Sequence, residues 1–343
     1  MSTISDVARL AKVSVSTVSH VVNGTKRVSD GTRKRVEQAI SEVRYSPNPI
    51  ARSLRSGRSR SIGFVVTDTS QHVFGAMISE VERATRKSEQ TLLLANSGED
   101  VEQEAAVVTA LLDNRIDALI IAPVGDESHH IMERCRDVGV AVIVVDRLIE
   151  PKFDQVGIHN RGVMRTLTRH LIDRGHTDIA LLATSHPVWT VRERIGGFRD
   201  ALEDAGLPFG PDSVIEASMG VVSGQEQAEE RLSKRPPTAM IAATGILTVG
   251  ALRAFANLGI TCPDDIAFES FDGVTNSEFF VPRLTSFVHP AQQEASEAMV
   301  LLDRRLSQPT AAPTTILVDS VISHGTSCGC PPGADFDSPH LPS

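Results

Sequence analysis

The chain has 343 residues, four cysteines and a formal net charge of -9, with 41% hydrophobic and 22% charged residues. Its length and apolar content predict a globular protein of two or more domains with a sizeable core, and four scattered cysteines (Cys135, Cys262, Cys328, Cys330) exclude a disulfide framework. No apolar run approaches the roughly 20 residues of a membrane helix and no secretory pattern opens the chain, so no membrane partner and a cytoplasmic location are expected.

The charge is unevenly placed. Residues 1 to 60 hold 12 Lys and Arg against four acids, a net +8, and the remainder holds 22 against 39, a net -17. A basic head on an acidic body suggests a polyanion partner for the head, attracted without regard to sequence and weakened by salt at a slope of about -0.9 per neutralised phosphate. A merely solvated basic surface is the competing account.

Thr3 can cap a first helix from Ile4, with Asp6 in its first turn and Ile4, Val7, Ala8 and Ala11 on one face. That helix ends by Lys12. A second short helix follows with Ser14 as its cap, and Asn23-Gly24 closes it with residues that tolerate a left-handed conformation. Val18, Val21 and Val22 form its apolar stripe, while Ser16, Thr17, Ser19 and His20 point elsewhere. Ser29 caps a third helix through Val36, Ala39, Ile40 and Val43, so three small helices can share one core. This is a helix-turn-helix domain over residues 1–46, although paired short helices also occur as ordinary core.

Residues 47–60 read as a linker containing a short helix, capped by Asn48, with Pro49 in its first position, running to about Arg55. Isolated helices shorter than about 12 residues are marginal in water, so this one should form only when something packs on it.

From Ser61 the pattern becomes strand and helix in alternation. Strands are predicted at 62–67, 91–95, 118–122 and 140–145, with helices near 75–87, 101–112 and 127–138 between them. The rhythm restarts after Asp154 with a strand to Ile158, helix 161–173, strand 179–182, helices 192–205 and 224–232, strand 239–242, helix 247–258 and strand 266–270. Short continuous apolar strands separated by helices indicate parallel sheets covered on both faces, and two similar α/β lobes over 61–327 are the economical arrangement. Residues 328–343 carry Gly, Pro, Ser and Asp with little apolar content and are expected to fray.

Thr-Ile-Ser-Asp-Val-Ala at 3 to 8, Val-Ser-Val-Ser-Thr-Val-Ser at 13 to 19, Asn-Gly at 23 and 24, and Tyr-Ser-Pro-Asn-Pro-Ile-Ala-Arg-Ser-Leu at 45 to 54 together resemble the LacI-type (LacI/GalR) family of bacterial transcriptional regulators. The resemblance extends to about residue 328. It implies a repressor with a helix-turn-helix head and a two-lobed, periplasmic-binding-protein-like body, acting on near-palindromic double-stranded operator DNA as a homodimer, with a tetramer left open. Such a protein associates with the nucleoid when bound to DNA.

By this resemblance Val15, Ser16 and His20 read bases: Ser16 can donate or accept at a base edge, His20 can meet a purine acceptor, and Val15 can touch a thymine methyl. Thr17 shares their outward face, and Thr3, Ser14 and Asn23 are expected on phosphates. Ala51, Leu54 and Arg55 are expected at the minor groove, Leu54 as an apolar wedge and Arg55 near the groove wall. A solvated His20, and Leu54 buried only against Ile50 across a dimer, are the bland alternatives. The resemblance also implies three crossings between lobes, with 290–306 and a strand near 315–318 returning to the first.

A small effector, a sugar or sugar acid, is expected between the lobes at the C-terminal ends of the strands. Loop residues there are Phe74, Arg147, Asn160, Trp189 and Thr190, and Arg194 and Asp272 match the family's strongest effector positions. An Arg and an Asp can pair with vicinal hydroxyls or a carboxylate, and Trp189 can stack on a sugar ring. Equally, Arg194 can bridge neighbouring loops and Trp189 can be core. The chain departs from the family at Ala243-Thr244-Gly245, at Gln71-His72-Val73-Phe74 and at His289-Pro290, which bears on which effector binds.

An α/β enzyme or a cytoplasmic binding protein without DNA regulation is the alternative class. No Gly-x-Gly-x-x-Gly, Gly-x4-Gly-Lys-Ser/Thr or Gly-x-Ser-x-Gly motif is present at a suitable place, so neither catalysis nor a cofactor is expected. Cys328-Gly329-Cys330 has no second ligand pair at metal-binding spacing in the sequence, and no metal is expected.

Overall fold

A computed structural model describes residues 3–23, 26–45, 59–185, 188–274, 279–319 and 321–331. The linker helix and the expected DNA contacts Ala51, Leu54 and Arg55 lie outside the described residues, as do residues 332–343 and the side chain of Asn23. The chain divides into two compact units, 1–60 and 61–343.

In the first unit, helix α1 spans Ile4–Ala11, α2 Val15–Asn23 and α3 Asp30–Glu42. Thr3 and Asp6 form a reciprocal cap: the Thr3 hydroxyl accepts from the Asp6 amide at 3.3 Å, and the Asp6 carboxylate accepts from the Thr3 amide at 2.9 Å. Lys12 ends α1 in a left-handed conformation at φ 55°, which turns the chain sharply into α2. Ser29 stands at the cap of α3, but its hydroxyl donates to the Thr32 hydroxyl at 3.0 Å and makes no cap bond to the backbone. Val7, Ala8, Ala11, Val18, Val21, Val36 and Ala39 form one core shared by the three helices.

The second unit holds two six-stranded sheets. Strands β1 (Ser61–Val66), β2 (Thr91–Asn96), β3 (Ala118–Ile121), β4 (Ala141–Val145), β5 (Asp154–Ile158) and β11 (Thr315–Val318) make the first, in the order β11-β5-β4-β3-β1-β2 and parallel throughout. Strands β6 (Ile179–Thr184), β7 (Val214–Ala217), β8 (Ala239–Ala242), β9 (Ala267–Ser270), β10 (Thr285–Phe287) and β12 (Ile322–Ser323) make the second, in the order β12-β10-β9-β8-β6-β7, antiparallel only at β12.

Continuous apolar strands follow from burial on both faces. Phe64 of β1 and Ile143 of β4 lie in one core, and their neighbours Val65 and Val144 lie in the core on the opposite face. Helices α4 (His72–Lys87), α5 (Val101–Asp113) and α6 (His129–Asp137) belong to the first lobe, and α7 (Asn160–Asp173), α8 (Trp189–Asp204), α9 (Val221–Lys234) and α10 (Gly245–Leu258) to the second. Helix α11 (Ala291–Ser307) packs Ala291, Ala295, Ala298 and Leu302 into the first lobe's core. Helices α7 and α8 meet backbone to backbone: a Cβ on Gly197 would stand 2.1 Å from the Arg161 carbonyl oxygen.

The return of 290–306 and 315–318 to the first lobe is as the family resemblance implies. Two expectations are corrected. The strand 154–158 does not open the second lobe; it pairs with β4, the strand just before it, and with β11 from the far end of the body, Gln155 opposite Thr315. The expected fraying from 328 does not begin there either, since Cys328 and Cys330 are buried in the second lobe's core. Strands β7, β10 and β12, each of two to four residues, have no counterpart among the expected strands.

Candidate functional site

Two sites can be built from these elements, one in each unit. In the first unit α2 is anchored from behind: Val18 is 0% exposed and Val21 9%, whereas Val15 on the other side is 44% exposed. The Ser14 hydroxyl caps α2 by accepting from the Thr17 amide at 3.1 Å, and it lies 2.8 Å from both the Ser16 and Thr17 hydroxyls. Ser14, Val15 and Ser16 are exposed, with Thr17 and His20 partly so. The exposed start of the helix therefore presents three hydroxyls and one apolar group beside a positive dipole end, which suits it to a phosphate-lined groove.

In the second unit the expected effector residues fall into separate groups. Asn160, Arg194 and Asp272 come together at the C-terminal ends of the second lobe's strands. Arg194 is 5% exposed. Its Nε donates to Asn160 Oδ1 at 2.8 Å, and its Nη1 donates to the Ala243 carbonyl at 2.6 Å and to Asp272 Oδ2 at 2.9 Å. The guanidinium also lies over the Phe271 ring, 3.7 Å from its centroid. Arg194 thus bridges loops and pairs with Asp272, whose side chain is 20% exposed.

His289 joins this group from the crossing between β10 and α11. Its Nδ1 is 3.4 Å from Asp272 Oδ1, and its Nε2 is 2.9 Å from Glu294 Oε1 in the first turn of α11. Burial favours neutral His289, but Glu294 and Asp272 outweigh it and push the imidazole up to about 10. Burial likewise opposes ionisation of Asp272, and Arg194 with His289 overcomes it, so that carboxyl lies below its ordinary range. Glu294 goes the other way, raised by burial, with His289 offsetting only part. A line of alternating basic and acidic groups, Arg194, Asp272, His289 and Glu294, runs from the second lobe into the first. Neither His289 nor Glu294 was singled out as a site residue; the sequence marks His289-Pro290 only as a departure from the family pattern.

Arg147 is held apart from that line. It donates to both carboxylate oxygens of Glu99 at 2.7 and 2.6 Å, and follows Asp146, which takes a left-handed φ of 62°. A non-glycine residue held in that region at a site is a strain the surrounding structure must enforce. Thr190 is buried and Trp189, the first residue of α8, is half-buried. Phe74 is 1% exposed and packs in the first lobe's core with Phe64 and Met77, so its ring lines no open surface. A second contact between lobes, Arg192 Nη2 to Asp126 Oδ2 at 3.3 Å, is well exposed.

A three-helix reading head and a two-lobed parallel α/β body define the class: a DNA-binding regulator with a periplasmic-binding-protein-like domain. The family signature described as bacterial regulatory proteins, lacI family, matches residues 3–48, and that of a periplasmic binding protein-like domain matches 168–328. The HTH-type transcriptional repressor PurR of Aliivibrio fischeri (strain MJ11) is 30% identical over 312 residues, covering 89% of this chain and 92% of that protein. The HTH-type transcriptional regulator DegA of Bacillus subtilis (strain 168) is 31% identical over 333 residues, 95% of this chain and 98% of that one. Among solved structures, the lac repressor dimer bound to operator and the anti-inducer ONPF superposes with a TM-score of 0.86 at 26% identity, covering 95% of this chain and 99% of that chain. The CelR–cellobiose complex gives 0.71 at 26% identity, with 95% and 100% covered. The chain belongs to the lacI family of bacterial regulatory proteins and is a DNA-binding transcriptional regulator. Among the described residues no helix is long and apolar enough to cross a membrane.

Proposed function

We propose that this chain is a cytoplasmic, homodimeric repressor without enzymatic activity, whose hold on a near-palindromic operator is set by a sugar or sugar acid bound between its lobes. The observation that carries the DNA half is the two-sidedness of α2, with Val18 and Val21 fixed in the core and Val15 44% exposed. Val15, Ser16, Thr17 and His20 read the major groove, while Thr3, Ser14 and Asn23 hold phosphates. Ala51, Leu54 and Arg55 complete the site at the minor groove, Leu54 unstacking a central base step.

Arg194, Asn160 and Asp272 supply the effector chemistry. A vicinal diol can accept from Arg194 and donate to Asp272, and a sugar carboxylate can take the guanidinium fork directly. Arg147, Trp189 and Thr190 extend the site, and Phe74 supports it from the core. A sugar ligand is in keeping with the structural neighbour CelR, which is solved as a complex with cellobiose. The ligand acts through its different affinity for two arrangements of the lobes, and through those arrangements on pairing of the two linker helices.

Gel shift on operator fragments selected from genomic DNA tests the first half. His20→Ala and Leu54→Ala are expected to lower operator affinity, the former with relaxed base preference; unchanged affinity and preference in both would overturn the readout. A thermal-shift screen of sugars and sugar acids tests the second half. Equal stabilisation of the wild type and Asp272→Ala by every ligand found would remove Asp272 from the site.

A further inference from the structure

A second cluster of chemistry-bearing side chains lies in the second lobe, away from the charge line. Three of its members come from one short stretch of the last described segment, His324, Cys328 and Cys330, and the fourth is His170 near the end of α7. One ligand atom from each of the four lies within 4.8 Å of all the others. Cys330 Sγ is 3.4 Å from His170 Nε2, and Cys328 Sγ is 3.5 Å from His324 Nε2. A tetrahedral zinc with Zn–S of about 2.3 Å and Zn–N of about 2.05 Å places each sulfur about 3.6 Å from each nitrogen. These two edges lie within about 0.2 Å of that figure.

Glu269 is a second, independent pointer. It sits in the middle of β9 at 0% exposure, and among the described residues one of its oxygens, Oε2, has no hydrogen-bond partner. Its other oxygen meets His170 Nδ1 in a very short contact. A buried carboxylate is expensive in a lobe core. Behind a metal-bound histidine it has a known use: it accepts a hydrogen bond from Nδ1–H, which fixes the tautomer and turns Nε2 towards the metal.

We propose that His170, His324, Cys328 and Cys330 form a structural zinc site, with Glu269 positioning His170. On binding, the two thiols release their protons to solvent and ligate as thiolates, while both imidazoles ligate through Nε2. Two thiolates balance the charge of the dication, and the Glu269 carboxylate is held by the His170 Nδ1–H. Two sulfur and two nitrogen ligands in a closed tetrahedron select zinc over harder cations and leave no open position for catalysis. The site fastens the segment after β12 to α7, the helix whose opposite end carries Asn160 of the proposed effector cluster.

The test uses the reduced full-length protein. Metal analysis of the wild type after gel filtration is expected to give one zinc per chain. After removal of zinc, Co2+ is expected to bind one per chain with tetrahedral visible bands and a thiolate-to-cobalt charge-transfer band. Cys330→Ser should weaken that band and Cys328→Ser/Cys330→Ser should abolish it. Glu269→Gln should keep the spectrum while lowering affinity by roughly 10- to 100-fold. Zinc should raise the melting temperature of the wild type and leave that of the double cysteine variant unchanged.

The proposal is overturned if reduced wild type binds neither metal. It is equally overturned if the double variant still binds one Co2+ per chain, which would move the metal to another group such as Asp146, His289 and Glu294. A wild type in which thiol–imidazole hydrogen bonds alone hold the four groups would bind no metal. The wild-type titration settles the matter even where a variant fails to fold. DNA binding is a separate readout, so failure here leaves the proposed function standing.

Discussion

Replacing Arg194 by methionine removes the charge and keeps most of the stem. The change orphans three acceptors that the guanidinium holds at 2.8, 2.6 and 2.9 Å: Asn160 Oδ1, the Ala243 carbonyl and Asp272 Oδ2. Breaking a buried ion pair from one side costs about 3–5 kcal/mol. His289 still faces Asp272, which keeps the loss near the middle of that range, about 4 kcal/mol. At roughly 2 °C per kcal/mol for a unit of this size, the melting temperature of the body falls by about 8 °C. In Arg194→Met/Asp272→Asn the orphaned charge is gone, and about half of the loss is expected to return. Urea unfolding of the two single variants and the double variant gives the coupling energy directly. A single variant within about 1 kcal/mol of wild type, or a double variant no more stable than Arg194→Met, would refute the account.

The pH dependence should carry a signature of His289. Its pKa rises from 6.5 to about 10 on folding, so its contribution is complete below about pH 6.5 and disappears as the pH climbs towards 10. His289→Gln should flatten the wild-type loss of stability across that window, read as the difference between the two unfolding profiles; parallel profiles would count against the pairing. Gly197→Ala puts a methyl group 2.1 Å from the Arg161 carbonyl oxygen, and forcing α7 and α8 apart should cost about 1–3 kcal/mol by urea unfolding. By contrast Asp126→Ala breaks an exposed pair and should shift the midpoint by less than about 1 kcal/mol. For the head, log affinity for DNA should fall linearly with log salt, with a slope of about -0.9 per neutralised phosphate, and a salt-independent affinity would refute the phosphate contacts.

Much of the fold is legible in the chain because its signals are local. Thr3 and Asp6, Ser14 before α2, and the valines at 18 and 21 each announce their role within one helical turn. Runs such as 62–66 likewise declare burial on both faces. Neighbour relations are not local, and there the sequence misleads. Asp154–Ile158 reads as a beginning, yet its partners are β4 and a strand at 315–318. The same limit applies to sites. Arg194 and Asp272 could be placed by resemblance, but Glu99 opposite Arg147, and His289 with Glu294, are visible only once the crossings bring them together. Cys328 and Cys330 lack a ligand pair at close spacing because one partner, His170, is supplied from α7.

The pairing of β5 with β11 also sets a timetable for synthesis. Gln155 meets Thr315 across a separation of 160 residues. A ribosome adding roughly 5–20 residues per second takes about 8–32 s to make that interval. For that time the nascent first lobe lacks α11 over one face of its sheet and exposes β5 as an edge, while the second lobe is still waiting for β12. Neither half can finish early, and an open strand edge is a template for wrong partners. The fold therefore gives an interval of exposure during which a chaperone has something definite to hold, and pulse-labelled nascent chains arrested between 160 and 315 should be more protease-sensitive than the released protein.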